Sequence, residues 1–248
     1  MQNKLYTQEE YEFIGKSVFF PKQGILVVGD LHLGYEFTIR QPGSYVPATQ
    51  FSETKKDLED IFEVIKKRGN RLKKVIFLGD VKHFFSYMRA EKNLFEELLM
   101  LIGKHVKQEN IIVIKGNHEK LANLADKEFV EIHKEKDLAF IHGDIENKQA
   151  FTKEIKTILM GHLHPAINLK DSQGIKSEKY KTFLLGKYKK KNIIILPSFL
   201  PSVEGTSINQ HLSDTHCFLP AKKLQDFKVF IIGKNKTYEF GLLNSLMK

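Results

Sequence analysis

Short, unbroken apolar runs punctuate the chain: Ser17-Val18-Phe19-Phe20, Ile25-Leu26-Val27-Val28, Val75-Ile76-Phe77-Leu78, Ile111-Ile112-Val113-Ile114 and Ile193-Ile194-Ile195-Leu196. Apolar runs of this length, ended by glycine, proline or charge, read as buried strands. The first two are joined at Pro21-Lys22-Gln23-Gly24, a turn. Two stretches between the runs have helical spacing instead. Over residues 52–68, Leu58, Ile61, Phe62 and Ile65 fall on one face, and Gly69 stands where a C-cap glycine belongs. Over residues 90–104, Leu94, Leu98, Leu101 and Ile102 do the same. A loop with Pro42-Gly43 and Pro47 precedes the first helix. The β-α-β-α-β order predicts parallel pairing through right-handed crossovers, so three strand ends share one edge.

Beyond a short helical stretch expected around residues 121–127, the pattern changes. Strands are predicted at 138–141, 157–160, 166–169, 180–185, 192–196, 229–232 and 237–240. Their short separations argue for antiparallel pairing in a second sheet. Two sheets bury their inner faces on each other and carry helices outside. No repeat, low-complexity tract or linker divides the chain, so residues 1–248 are expected to form a single domain without a separate capping domain.

Charge is unevenly distributed. The chain carries 39 Lys+Arg against 30 Asp+Glu, but residues 1–150 hold 23 of each, so the excess of 16 over 7 lies wholly in residues 151–248. Its densest run is Lys187-Tyr188-Lys189-Lys190-Lys191, with Lys176, Lys179 and Lys181 just before it. Such a run is a solvated turn between two strands, or a contact to a phosphate backbone. No apolar run approaches the roughly 20 residues of a membrane helix. The start lacks the basic and apolar regions of a signal peptide, and Cys217 is the sole cysteine. A soluble, cytoplasmic protein without membrane association is the expectation.

The candidate chemistry follows the apolar runs. Val27-Val28-Gly29-Asp30-Leu31-His32-Leu33-Gly34 ends a strand with a carboxylate and an imidazole, which on extended backbone would point the same way. Four later stretches repeat the design: Leu78-Gly79-Asp80, Lys115-Gly116-Asn117-His118-Glu119, Ile141-His142-Gly143-Asp144 and Met160-Gly161-His162-Leu163-His164. Asp30, His32, Asp80, Asn117, His142, His162 and His164 form a nitrogen and oxygen ligand set without thiolate, suited to Mn first, or to Fe or Zn. Seven ligands exceed one tetrahedral ion and suit two divalent ions sharing a carboxylate, with Asp80 as the natural bridge. Asn117 adds an oxygen without charge. Taken alone, His142 would more often be a structural histidine, and Asp144 reads as a turn residue. His105, His133, His211 and His216 lack such a setting.

The ordered series of Asp30-Leu31-His32, Gly79-Asp80, Gly116-Asn117-His118-Glu119, His142-Gly143 and Gly161-His162-Leu163-His164 resembles the calcineurin-like metallophosphoesterase superfamily over residues 29–164. The resemblance implies an α/β fold, a four-layer αββα sandwich of two mixed sheets with a dinuclear metal site between them. It assigns Asp30, His32, Asp80 and His164 to one ion and Asp80, Asn117, His142 and His162 to the other. His118 would face the substrate as general acid or charge stabiliser. Protein serine/threonine phosphatases have aspartate three residues after the bridging aspartate. This chain has His83 there, similar to the SbcD-type nucleases, and Leu196-Pro197-Ser198-Phe199 with Gly205 is similar to small archaeal SbcD-related phosphoesterases. The large SbcD-type nucleases carry an added capping domain, which is not expected here.

The reaction implied is attack on phosphorus by a hydroxide held between two metal ions, with His118 and His83 assisting departure of the leaving oxygen. A phosphodiesterase or nuclease acting on nucleic acid or nucleotide is expected. The alternatives are a phosphomonoesterase for a small phosphate and, third, a non-catalytic metal-binding interaction module.

Overall fold

The apolar runs become two sheets in a computed structural model that describes residues 10–39, 49–120, 123–171, 173, 175–201, 203–234 and 236–247. β1 (Glu12–Ile14), β2 (Ser17–Phe20) and β3 (Ile25–Val28) form an antiparallel meander. The chain then passes through α1 (Tyr35–Ile39) and α2 (Gln50–Lys67) to β4 (Lys74–Phe77), and through α3 (Arg89–Gly103) to β5 (Ile111–Ile114). β3, β4 and β5 pair in parallel, as the alternation of strand and helix predicts. The expected loop with Pro42-Gly43 and Pro47 lies outside the described residues. Gly69 ends the first long helix with φ +71° and its N–H on the Lys66 carbonyl, the left-handed stop that glycine allows.

The helix expected over residues 121–127 is instead, where described, a hairpin of β6 (Asn123–Leu124) and β7 (Lys127–Val130). Ala125 and Asp126 turn it with φ of +51° and +57°, the pair of positive angles that a two-residue hairpin turn requires. Pairing of β7 with β5 supplies the long-range partner that local propensity does not register.

The second sheet contains β8 (His133–Glu135), β9 (Leu138–Ile141), β10 (Thr157–Met160), β11 (Pro165–Lys170), β12 (Ser177–Tyr188), β13 (Lys191–Ile195), β14 (Thr206–Ser207), β15 (Lys228–Ile232) and β16 (Thr237–Leu242). The antiparallel expectation holds for β11, β12, β13, β15 and β16. It fails at the centre, where β10 lies parallel to both β9 and β13. The sheet is therefore mixed, and three of its strands end at one edge.

Three apolar layers separate four layers of backbone. Phe19, Leu26 and Phe77 pack outward under α2 and α3. Val27, Ile76, Phe140, Phe183 and Ile194 fill the space between the sheets, all essentially without exposure. Ile158, Ile193 and Val229 face the other way, against short 3-10 turns and the four-residue α4 (Ala221–Leu224). Burial of this scale, at about 25 cal/mol per Å² of apolar surface, holds the sheets face to face. No helix among the described residues is long and apolar enough to cross a membrane.

Candidate metal centre

Each strand of the parallel core delivers one part of the site just past its carboxyl end. Asp30 and His32 follow β3, Asp80 follows β4, and Asn117 and His118 follow β5; His142 follows β9, and His162 and His164 follow β10. Because both sheets end their parallel strands at the same edge, residues more than 130 positions apart converge: the His162 N–H donates to Asp30 Oδ2 at 3.0 Å. The parallel β9–β10 pair, which the spacing of strands did not reveal, places His142 beside His162.

The turns after the strands are not extended. His32, Asp80, His162 and His164 take φ of +45°, +43°, +63° and +45°, so strand alternation is not what aims the pairs Asp30/His32 and His162/His164. A left-handed residue costs about 1–2 kcal/mol, offset here by hydrogen bonds. The Asp80 carbonyl accepts from the His32 N–H at 2.8 Å, and Asp80 Oδ1 accepts from the His118 N–H at 2.9 Å. Glycine permits the closest approaches. A Cβ on Gly161 would stand 2.5 Å from Asp30 Oδ2, and one on Gly116 would stand 2.2 Å from Asp80 Oδ1.

Among the described residues, two groups of donor atoms contain an aspartate, and a third gathers His32, His83 and His118. Asp30, His32 and His164 offer atoms within 4.8 Å of one another, and so do Asp80, His142 and His162. In the second group the tautomers follow from the bonds. His142 Nδ1 donates to the Leu78 carbonyl at 2.8 Å and His162 Nε2 to the His216 carbonyl at 2.5 Å. Lone pairs are left on His142 Nε2 and His162 Nδ1, 3.0 Å apart, with Asn117 Oδ1 3.0 Å and Asp80 Oδ2 3.5 Å from His142 Nε2. Acceptors that face acceptors repel unless a cation lies between them, so these residues fit a divalent metal. In the first group His32 Nε2 and His164 Nε2 face each other at 3.2 Å, and His164 Nε2 is 3.5 Å from Asp30 Oδ2.

Electrostatics agree. Burial alone would raise the Asp30 carboxyl, but His164, His142 and His32 outweigh it and hold the group well below the carboxylate range. Burial, with Asp30 adding to it, raises Asp80. On His142, burial opposes a proton but Asp30 and Asp80 draw one, as a proton substitutes for a cation in such a site. Burial, reinforced by His164, pushes His32 far below the ordinary histidine value.

His83 and His118 stand beside the first group: the His118 ring is 5.0 Å from that of His32 and 5.5 Å from that of His83. His118 Nδ1 donates to the His83 carbonyl, and its Nε2 lies 3.9 Å from Asp80 Oδ2. Buried charges hold these two histidines. Lys82, 1 % exposed, donates to the carbonyls of Phe84 and His118. Glu91 accepts from the backbone N–H of His83 and of Phe84, each at 2.7 Å. Glu119 clamps Asp80 N and Gly116 N at 2.9 and 2.8 Å, and burial, with Asp80 nearby, pushes its carboxyl up to about 7.

Sequence reasoning gave none of Lys82, Glu91 and Glu119 a role. Glu91 sits in the first turn of α3, where a carboxylate ordinarily faces water. The His216 carbonyl was equally hidden, since a backbone acceptor leaves no trace in residue identity. The weaker motifs do have a physical place. The Phe199 N–H donates to the Asp30 carbonyl at 2.8 Å, and Ser198 Oγ to the same atom at 3.1 Å. A Cβ on Gly205, which has φ +94°, would meet the His164 carbonyl at 2.4 Å.

Other candidates lie apart. His105 packs on Phe62 and His133 on Phe140. The lysine run is the β12–β13 hairpin, turned by Lys189 and Lys190 with φ of +46° and +65°. It stands at the amino end of β13, away from the site edge, with Lys189 paired to Glu146 and Lys191 donating to the carbonyls of Thr152 and Ile155. Asp144 lies in a bend.

Two apposed mixed sheets with aspartates and histidines converging from their parallel strand ends define a metal-binding α/β sandwich of the hydrolase type. The chain belongs to the calcineurin-like phosphoesterase family, whose model matches residues 24–233, and it is accordingly a phosphoester hydrolase that uses divalent metal ions. No curated protein matches the chain. Similar crystal structures include nuclease MPE of Pseudomonas putida, at 17 % identity and a TM-score of 0.58 over 90 % of this chain and 92 % of that one. A predicted phosphoesterase of Streptococcus pneumoniae shares 15 % identity with a TM-score of 0.35 over 88 % and 96 %. Vps29 of Entamoeba histolytica, complexed with zinc, shares 10 % identity with a TM-score of 0.35 over 87 % and 96 %. The likeness to the nuclease is one of fold.

Proposed function

We propose that the chain is a cytoplasmic phosphodiesterase or nuclease that hydrolyses nucleic acid or nucleotide diesters with two divalent ions, Mn first and Fe or Zn as alternatives. Asp30, His32 and His164 would hold one ion, Asn117, His142 and His162 the other, with Asp80 shared. Divalent ions supply Lewis acidity toward phosphoryl oxygens and lower the pKa of a water they hold.

The observation that carries the reading is the orientation of His118. It belongs to neither Asp-containing group but shares a third with His32 and His83, and its Nδ1–H is tied to the His83 carbonyl. In the imidazolium form its free Nε2–H is the proton available to a departing alkoxide, and transfer leaves the neutral ring with Nε2 bare. General acid assistance of this kind contributes about 10²–10⁴-fold. His83 positions His118 through its carbonyl and borders the same space with its ring. The diester preference is supported by His83 at this position and by likeness to a protein named as a nuclease.

The test is a panel of bis-p-nitrophenyl phosphate, p-nitrophenyl phosphate and single-stranded DNA with Mn²⁺, Fe²⁺, Zn²⁺ and Mg²⁺. Diesters are expected to turn over best with Mn²⁺, and Asp80→Asn is expected to be inactive. His118→Ala should lower kcat by about 10²–10⁴-fold while retaining bound Mn²⁺. Turnover of the monoester alone would replace the diesterase reading with a phosphomonoesterase; no turnover with any metal would favour an interaction module.

A further inference from the structure

Two large apolar side chains are left in solvent at the mouth of the site. Phe85 is 48 % and Tyr87 57 % exposed, and both lie on the segment 82–88 that carries His83. The segment is held rigidly. Lys82 spends a buried ammonium on the carbonyls of Phe84, Ser86 and His118, and Glu91 spends a buried carboxylate on the N–H groups of His83 and Phe84. Burying two charges to fix an exposed loop is costly. What the bracing fixes is one geometry: the Phe85 ring lies on the His118 ring with centroids 4.3 Å apart and planes 20° from parallel. The Lys120 ammonium lies over the Phe85 ring, 5.4 Å from its centroid.

We propose that Phe85 and Tyr87 form a stacking shelf for a nucleobase beside the scissile phosphate, with Lys120 meeting an adjoining phosphate. The inference rests on the diesterase reading and names where the base of such a substrate would sit. Two side chains are too small a patch for a protein partner, which takes roughly 800 Å² from each side, but each ring is large enough to take a base. A base stacked on Phe85 takes the place that the flexible Lys120 side chain holds over the ring and leaves its ammonium to an adjoining phosphate, and stacking accepts any base because each has a π face.

The test uses the full chain with Mn²⁺ and fluorescein-labelled thymidine decamers carrying hydrolysis-resistant phosphorothioate linkages, against abasic decamers of the same backbone. The expected result is binding of the thymidine strand about tenfold tighter than the abasic strand. That ratio should fall toward one in Phe85→Leu, fall less in Tyr87→Leu and survive in Phe85→Tyr. An unchanged ratio in Phe85→Leu, equal weakening of both strands, or no binding of either strand would overturn the shelf. Equal weakening would mean that Phe85 only packs on His118. The diesterase reading fails by a different sign, an uncut unmodified strand alongside a hydrolysed monoester, and the base preference stays readable in that case.

Discussion

Four of the seven ligand candidates, His32, Asp80, His162 and His164, sit in left-handed backbone, and this strain is stored where the chemistry is placed. Motif spelling revealed which residues cluster but not that turns, rather than strand pleats, aim them. The close approaches are what residue identity does encode, through glycine. Gly161 has no positive φ, so alanine there is not strained by backbone; its Cβ would instead press on Asp30 Oδ2 from 2.5 Å. Gly161→Ala is therefore expected to weaken Mn²⁺ binding about 10–100-fold, read by isothermal titration. Glu91→Ala should leave the N–H groups of His83 and Phe84 without their acceptor. It is expected to cost about 1–3 kcal/mol in urea denaturation.

At the scale of elements, the helices α2 and α3 and the parallel β3–β4–β5 unit were legible because apolar periodicity and alternation of element type speak directly to them. The β6–β7 hairpin was not, since residues 123–130 have no long apolar pattern and owe their pairing to β5. Nor was the parallel heart of the second sheet, because the turn-rich spacing around it is that of a meander. Long β12 links both regimes and carries a half-buried lysine between them. Lys181 donates to the carbonyls of Ser198 and Leu200. Burial, with Lys16 adding to it and Asp57 and Asp30 opposing, pushes its ammonium down to about 7 from the ordinary 10.5. The sign follows from proton uptake. Below about pH 7 both states carry the charge, and between about 7 and 10.5 only the unfolded chain does, so stability rises with pH across that window. Wild type should gain on the order of 1 kcal/mol per pH unit between pH 7 and 10 relative to Lys181→Met, measured by chemical denaturation.

For the molecule as a whole, the candidate metal centre is a joint between sheets. The first sheet would contribute Asp30, His32, Asp80 and Asn117 and the second His142, His162 and His164, so an ion held there would tie the two together and be lost on unfolding. Saturating Mn²⁺ at about a hundred times its Kd is expected to add roughly 2–3 kcal/mol and raise Tm by about 5–10 °C. Addition of EDTA should reverse the shift, and Asp80→Asn should lose most of it. Sequence alone determined the types of the candidate ligands, their order along the chain, and the strand ends from which they leave, because local chemistry at a glycine-flanked strand terminus needs no distant partner. Tertiary structure alone decided that β9 and β10 run parallel, that Lys82, Glu91 and Glu119 turn inward, and that a backbone carbonyl of His216 sets the tautomer of His162. Each of these depends on which groups meet in the folded chain, and such pairing leaves no periodic signal in the sequence that encodes it.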